Sequence, residues 1–299
     1  MLTLPSFNRR VANCAVALLA TTLIATAAQA QIIRDATPGQ TPGALTPIDG
    51  VIELHGADGI RRGANNEIVL HSLDQFNLNA GETVRYTDAA DLINDIANVL
   101  TRVTGGSPSL LDGHLESLYP QADLFFVNPN GVFFGANFTI DVPQSFHTST
   151  ADRLEWDPGV EIDLTSPTEV PLLTAAVPGA WRFLGAGPEK RIEIAGFKLV
   201  DRVDSAETAT FSFVGSDLRL GTTNAPIQFN FRDRDVSLIA VGDTVTIEGA
   251  IISGNEVIDF SDVSLTTGTT TTEGVVPFPS ISTTTQILVS ETGGVLSGG

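Results

Sequence analysis

The densest apolar run beyond the first thirty residues lies at 122–151, ADLFFVNPNGVFFGANFTIDVPQSFHTSTA, where Leu124-Phe125-Phe126-Val127 and Val132-Phe133-Phe134 flank four turn-forming residues. In Asn128-Pro129-Asn130-Gly131 the first Asn bonds the backbone two residues on, Pro fixes φ near about −65°, and Gly accepts a positive φ. The pattern predicts a type I turn between two buried strands, because such short runs of Phe and Val suit strands and not helices. A second break at Gly135-Ala136-Asn137 is followed by alternation, with Phe138, Ile140 and Val142 on one face and Thr139 and Asp141 on the other.

Upstream the texture is similar. Residues 31–47 carry Pro38-Gly39 and Pro42-Gly43 with little apolar periodicity and read as an extended lead-in. From Ile48 the apolar groups return at Val51, Ile52 and Leu54, at Ile68 to Leu70, and at Phe76 and Leu78, separated by Gly50, Gly56, Gly59, Gly63 and Gly81. Short strands broken by glycine indicate a sandwich, a barrel or a β-helix. Residues 88–104 read two ways: Leu92, Ile93, Ile96, Val99, Leu100 and Val103 follow helical spacing, while Val99, Thr101 and Val103 alternate. Farther on, residues 166–186 carry four turn residues, Pro167, Pro171, Pro178 and Gly179, and read as a loop-rich excursion. Asp217, Asp235, Asp243 and Asp262 each precede an alternating strand, and their gaps of 18, 8 and 19 residues predict coils of roughly 20 residues. The tail is rich in Thr, Ser and Gly and reads as a linker in which only Val275-Val276 with Phe278, and Ile287-Leu288-Val289, offer strands.

The string N-P-N-G-V-F-F-G-A-N, followed by I-D-V and S-F-x-x-S-T-A-D, resembles the N-terminal secretion domain of filamentous haemagglutinin-like proteins, the exported partners of two-partner secretion (TPS) systems. The likeness continues through Arg102 to Ser109 and Leu111-Asp112-Gly113, and through Arg62-Gly63 and Leu70 to Asn77, covering roughly 46–155. The family's earlier N-P-N-L motif has no equivalent here; Asn65-Asn66-Glu67-Ile68 stands nearby without the proline. The resemblance implies an all-β fold, a right-handed parallel β-helix (solenoid) with an N-terminal β cap and loop-rich insertions. It selects a strand at 98–104 with a helical turn before it, and a layout of signal peptide (1–30), lead-in (31–47), β-helix domain (48–265) and low-complexity tail (266–299). It also implies a partner, an outer-membrane β-barrel transporter whose periplasmic POTRA domains capture the unfolded chain. The secretion motif of the family maps onto Asn128, Pro129, Asn130 and Gly131, with Gly105, Gly106, Pro108, Asp112, Gly113, Gly135 and Asn137 as supporting motif.

The N-terminus reads as an export signal. Arg9 and Arg10 precede an almost wholly apolar Val11–Ala27, and Ala28-Gln29-Ala30 fits the small-x-small cleavage rule, which places the mature start near Gln31. The only cysteine, Cys14, lies inside that leader, so the mature chain holds no disulfide. Removing the leader leaves 14 basic against 35 acidic residues, a balance of −21 that argues against nucleic acid as a partner. The expected location is therefore secreted, extracellular or at the cell surface, reached through the periplasm.

Candidate chemistry is sparse. His55, His71, His114 and His147 lack metal-ligand spacing and read as surface or turn residues, and no nucleophile elbow, Walker loop or dinucleotide fingerprint occurs. Asp201-Arg202-Val203-Asp204 and Arg232-Asp233-Arg234-Asp235 alternate acid with base and read as solvated turns. The sequence therefore predicts no catalytic residue, no metal site and no cofactor, and an adhesin-like passenger. The alternatives are an extracellular module that binds a cell-surface or carbohydrate ligand, and a β-helix polysaccharide lyase or hydrolase. Exposed aromatics would mark the first, and stacked carboxylates beside a base the second.

Overall fold

The computed structural model describes residues 31–90, 92–157, 160–168, 179–185, 190–200, 209–220, 227–230, 235–241, 245–247, 251–253, 256–257, 264–266, 274–277 and 286–288. Among these, the named helical elements are the 3-10 turns Gly56–Asp58 and Ile93–Asp95, and the other named elements are strands. The second of those turns leads directly into the strand Asn98–Val103.

Each coil contributes strands to three parallel sheets in a fixed order, which makes the molecule a parallel β-helix. Face one is built from Val51–His55, Thr83–Thr87, His114–Ser117, Thr139–Asp141, Phe197–Leu199, Ile227–Asn230 and Ile251–Ser253. Face two stacks Ile68–Phe76, Asn98–Val103, Asp123–Val127, Phe146–Ser149, Thr210–Gly215 and Asp235–Ala240. Face three stacks Ser109–Leu111, Val132–Phe134, Arg191–Ile194, Asp217–Leu220 and Val245–Ile247. Two segments of the Thr-rich tail also form strands, Gly274–Pro277 and Gln286–Leu288, the latter parallel to face two at Ser237–Ile239.

The coil is longer than the aspartate spacing predicts. Register partners lie 22 residues apart at Leu124 and Phe146, 27 at Leu218 and Val245, and 31 at Thr83 and His114. The 18-residue gap misleads because Asp217 opens a strand of face three and Asp235 a strand of face two, so the two are not equivalent positions.

The first coil is capped from above. The nine-residue strand Ile68–Phe76 receives two short antiparallel strands on its outer edge, Ile60–Arg62 over its first half and Ile32–Arg34 over its second. Ile32–Arg34 is in turn paired with Gly43–Ala44, and Ile32 is fully buried, so the lead-in is part of the fold. A capped edge cannot template pairing with another chain.

Face two is buried on both sides. Val69, Leu73, Val99, Val103, Leu124, Phe126, Phe146 and Phe211 point into the helix interior. The alternate residues Ile68, Leu70, Leu100, Phe125, Val127 and Val214 belong to a second cluster with Leu154, Trp156, Ile162, Trp181 and Phe183. The covering layer is an antiparallel outer sheet in the order Val160–Asp163, Arg153–Asp157, Ala180–Phe183, Gly274–Pro277. Three of its strands come from the excursion between Ser149 and Arg191, and one of them, Ala180–Phe183, falls within 166–186, where the sequence reads as loop-rich. Two-sided burial explains why Leu124 to Val127 form an unbroken apolar run where a half-buried strand would alternate. Each buried Phe contributes roughly 2–3 kcal/mol.

Two of the four histidines overturn the expected surface or turn role. His71 and His147 are only 2% and 3% exposed. His71 lies inside the coil near Tyr86, ring centroids 5.9 Å apart, and its Nε2 finds no hydrogen-bond partner among the described residues. His147 lies between face two and the outer sheet, stacked on Phe125 at 4.8 Å, with Nδ1 2.7 Å from Ser212 Oγ. Burial holds both rings neutral, with pKa values pushed down to about 3, and the positive charges of Arg34 and His55 add to the effect at His71.

The sign of the pH dependence follows. Between about pH 6.5 and 3 the unfolded histidines bind protons and the folded ones do not, so stability present above pH 6.5 is lost as the pH falls. The expected loss is roughly 1.4 kcal/mol per pH unit for each histidine. Urea midpoints measured from pH 7.5 to 4.5 should fall on this slope, and His147→Phe should remove about half of it.

Candidate functional site

The corner between faces two and three of the third coil is Asn128–Gly131, between strands Asp123–Val127 and Val132–Phe134. Gly131 N–H donates to Asn128 O at 3.0 Å and closes the turn, with Gly131 at φ +115°. Asn130 N–H donates to Asn128 Oδ1 at 2.9 Å, the side-chain turn that Asn favours at this position. Pro129 is buried and supplies the fixed φ between them.

Asn128 is fully buried and its side chain faces the preceding coil. Its Nδ2 donates to Ser107 O at 3.0 Å and to Ser109 Oγ at 2.9 Å, while Oδ1 accepts from Asn130 N and, at 3.3 Å, from Asn130 Nδ2. Both donors and the acceptor oxygen are thus fully used. Asn130 Nδ2 donates to Gly105 O at 2.6 Å, and Ser109 N–H donates to Gly131 O at 3.0 Å. The Asn128–Gly131 turn and the segment Gly105–Ser109 therefore form one two-storey fastener that joins the second coil to the third.

The supporting residues divide between this corner and the next. Gly105 stands where an added Cβ would overlap Asp74 O of the first coil, whereas Gly106 faces open space. Pro108 leads into Ser109 at the base of the fastener. At the corner between faces three and one, Asp112 Oδ1 accepts from Asn137 N at 2.9 Å and Oδ2 from Asn137 Nδ2 at 3.0 Å, again across two coils. A Cβ on Gly135 would overlap the Asp112 carboxyl, and one on Gly113 would overlap Asn79 O and Glu82 O. Ala28 and Ala30 lie outside the described residues, as do 201–204 and all of 232–235 but Asp235.

Two further fasteners use residues that the sequence marks only as part of the family likeness. Arg102, fully buried, donates from Nε to Ser72 Oγ at 2.7 Å, from Nη1 to Asp163 O at 2.9 Å and from Nη2 to Thr37 Oγ1 at 3.2 Å. It ties the lead-in, the first coil and the outer sheet to a single guanidinium. Asp35 closes the network by accepting from Ser72 Oγ and Thr104 Oγ1, each at 2.7 Å. Burial raises its pKa, but these hydroxyl donors together with Thr37 outweigh it and hold the carboxyl below its ordinary value. Beyond its place in the likeness from Arg102 to Ser109, its signal in the sequence is a lone base between Thr101 and Val103 in a strand of buried residues. The second fastener is Ser149-Thr150-Ala151-Asp152, where the excursion leaves: Thr150 Oγ1 donates to Lys190 O at 2.7 Å and Asp152 holds Leu184 N and Lys190 Nζ at 2.8 and 2.6 Å.

Removing the Asn128 amide strands Ser107 O, Ser109 Oγ and Asn130 N–H. Asn128→Ala is therefore expected to cost about 2–4 kcal/mol in urea unfolding, and Asn130→Ala, which loses one partner outside the turn, about 1 kcal/mol. Arg102→Met should cost about 2–4 kcal/mol, and adding Asp35→Asn should cost less than the sum of the two single changes because they share Ser72.

Comparison with known proteins gives the family. The TPS secretion domain matches residues 31–298. Among solved structures the HMW1 secretion domain from Haemophilus influenzae is similar at 14% identity and a TM-score of 0.42, covering 74% of this chain, which spans 57% of that one. No curated protein matches. With the family match running through nearly all of the described coils, the chain belongs to the TPS secretion domain family, the export domains of two-partner secretion passengers.

Proposed function

We propose that the corner fasteners are what the export route reads and uses. A TPS secretion domain marks a passenger that leaves through the outer membrane with a TpsB transporter as partner. On our reading the leader at 1–30 delivers the chain to the periplasm, POTRA domains hold the mature segment unfolded by pairing with an extended apolar stretch, and the coils form outside. Each coil then buries apolar surface worth about 25 cal/mol per Å² and opposes backsliding. The observation that carries the proposal is the saturated Asn128 side chain: a residue of the family's secretion motif is buried in the joint between the second coil and the third. A turn that forms late delays every coil stacked after it.

The adhesin-like role rests on the family alone. The exposed large hydrophobics among the described residues, Ile48, Leu92, Leu110, Leu184 and Val200, are aliphatic and offer no sugar-stacking ring. Face one does stack Glu53, Arg85, Glu116 and Asp141 in register on adjacent coils. Arg85 is committed to Glu116 at 2.5 Å and to Glu53 at 3.4 Å, so this ladder favours fastening over lyase or hydrolase chemistry, and the proposal assigns no catalytic step.

Export of a tagged chain with and without a co-expressed transporter tests the reading. The chain should reach the medium only with the transporter, and Asn128→Ala should remain in the periplasm more fully than Asn130→Ala. Equal secretion without a transporter overturns the proposal.

A further inference from the structure

The outer sheet has two edges, and they are protected differently. Along Val160–Asp163 the edge carries charge: Glu161 pairs with Arg153 at 3.0 Å and with Arg182 at 2.9 Å, which blunts the strand against a foreign partner. Ala180–Phe183, Ala-Trp-Arg-Phe, carries one charge, Arg182, which pairs within the sheet with Glu155 at 2.6 Å and Glu161 at 2.9 Å. Trp181 and Phe183 of this strand are fully buried in the second apolar cluster, which anchors the strand against face two. The far side is instead filled by Gly274–Pro277, in antiparallel register Ala180 with Pro277, Trp181 with Val276, Arg182 with Val275 and Phe183 with Gly274. The other three strands of the sheet all come from residues 153–183, whereas this one comes from beyond the last described strand of face one.

We propose that the edge of Ala180–Phe183 is a strand-acceptor site and that Gly274–Pro277 is the chain's own ligand for it, a latch that closes the outer sheet once the intervening coils have formed. The acceptor supplies main-chain donors and acceptors to any extended segment, as in recognition by strand addition. The latch ends the sheet as well as extending it. Pro277 has no N–H to offer, and Gly274 adds no side chain, so the new outer edge is a poor template for a further strand. Closure therefore converts a pairing-competent edge into an inert one. The latch is a property of the folded chain and does not depend on the export route.

The chain's two tryptophans, Trp156 and Trp181, both lie in the outer sheet, so their fluorescence reports this layer alone. In the purified mature chain, Val275→Pro with Val276→Pro should speed hydrogen exchange at the Ala180–Phe183 amides by roughly tenfold and raise acrylamide quenching of both tryptophans, while Asp123–Val127 stays protected. A synthetic peptide spanning 271–281, added in excess, should reverse both changes. As a second measurement, the mature chain contains no cysteine, so Arg182→Cys with Val275→Cys should form an intramolecular disulfide that Arg182→Cys with Gly274→Cys does not. Unchanged exchange and quenching in the double-proline chain overturn the latch, as does loss of protection at Asp123–Val127 in the same chain. A disulfide that links two copies in place of one also overturns it, since the acceptor is then filled by another molecule's tail.

Discussion

Register between coils is the constraint on which the rest of this structure depends. In a sheet with one wet side, a slip of one residue drives apolar side chains into water and corrects itself. Face two has no wet side along much of its length: Leu124 and Phe126 face the interior while Phe125 and Val127 face the outer sheet, and exchanging the pairs leaves four large apolar residues buried. The hydrophobic effect thus drives stacking here with little power to choose the register.

Polar groups at the corners make the choice. The Asn128 side chain reaches Ser107 and Ser109, Asp112 reaches Asn137, and Arg102 reaches Ser72, Thr37 and Asp163. Each of these sites is buried or built across two coils, so a shifted neighbour leaves donors and acceptors without water or partner, at about 1–3 kcal/mol per group. The division of labour is clear in the numbers: rings such as Phe134, Phe138 and Phe197, 4.8 and 5.4 Å apart, supply cohesion, and amides and carboxyls supply position.

Much of this was legible in the sequence. The turn at Asn128–Gly131 and the alternation after Phe138 rest on local chemistry, the helical turn and strand near Asn98 on the family resemblance, and the structure has all three. What was not legible arises from partners far along the chain. The buried positions of His71 and His147 depend on how the coil interior and the outer sheet pack over them, which the residues flanking each histidine do not reveal. The fastening role of Arg102 is not legible locally because two of its partners, Thr37 and Asp163, are about sixty residues away on either side. The coil length was misread for a related reason: turn aspartates recur at corners of different kinds, and only pairing distinguishes them.

The corner that follows Phe146–Ser149 shows how such a chain accommodates growth. Val132 and Ile192 are 60 residues apart in sequence yet sit directly against one another on face three, no farther along the helix axis than Val132 and Ser109, which are separated by 23. Distance along the chain and distance along the axis are therefore independent quantities. The axis advances by about 4.8 Å for each completed circuit, however much polypeptide a corner diverts. Material added at a corner thickens the molecule, and only material that completes all three faces lengthens it.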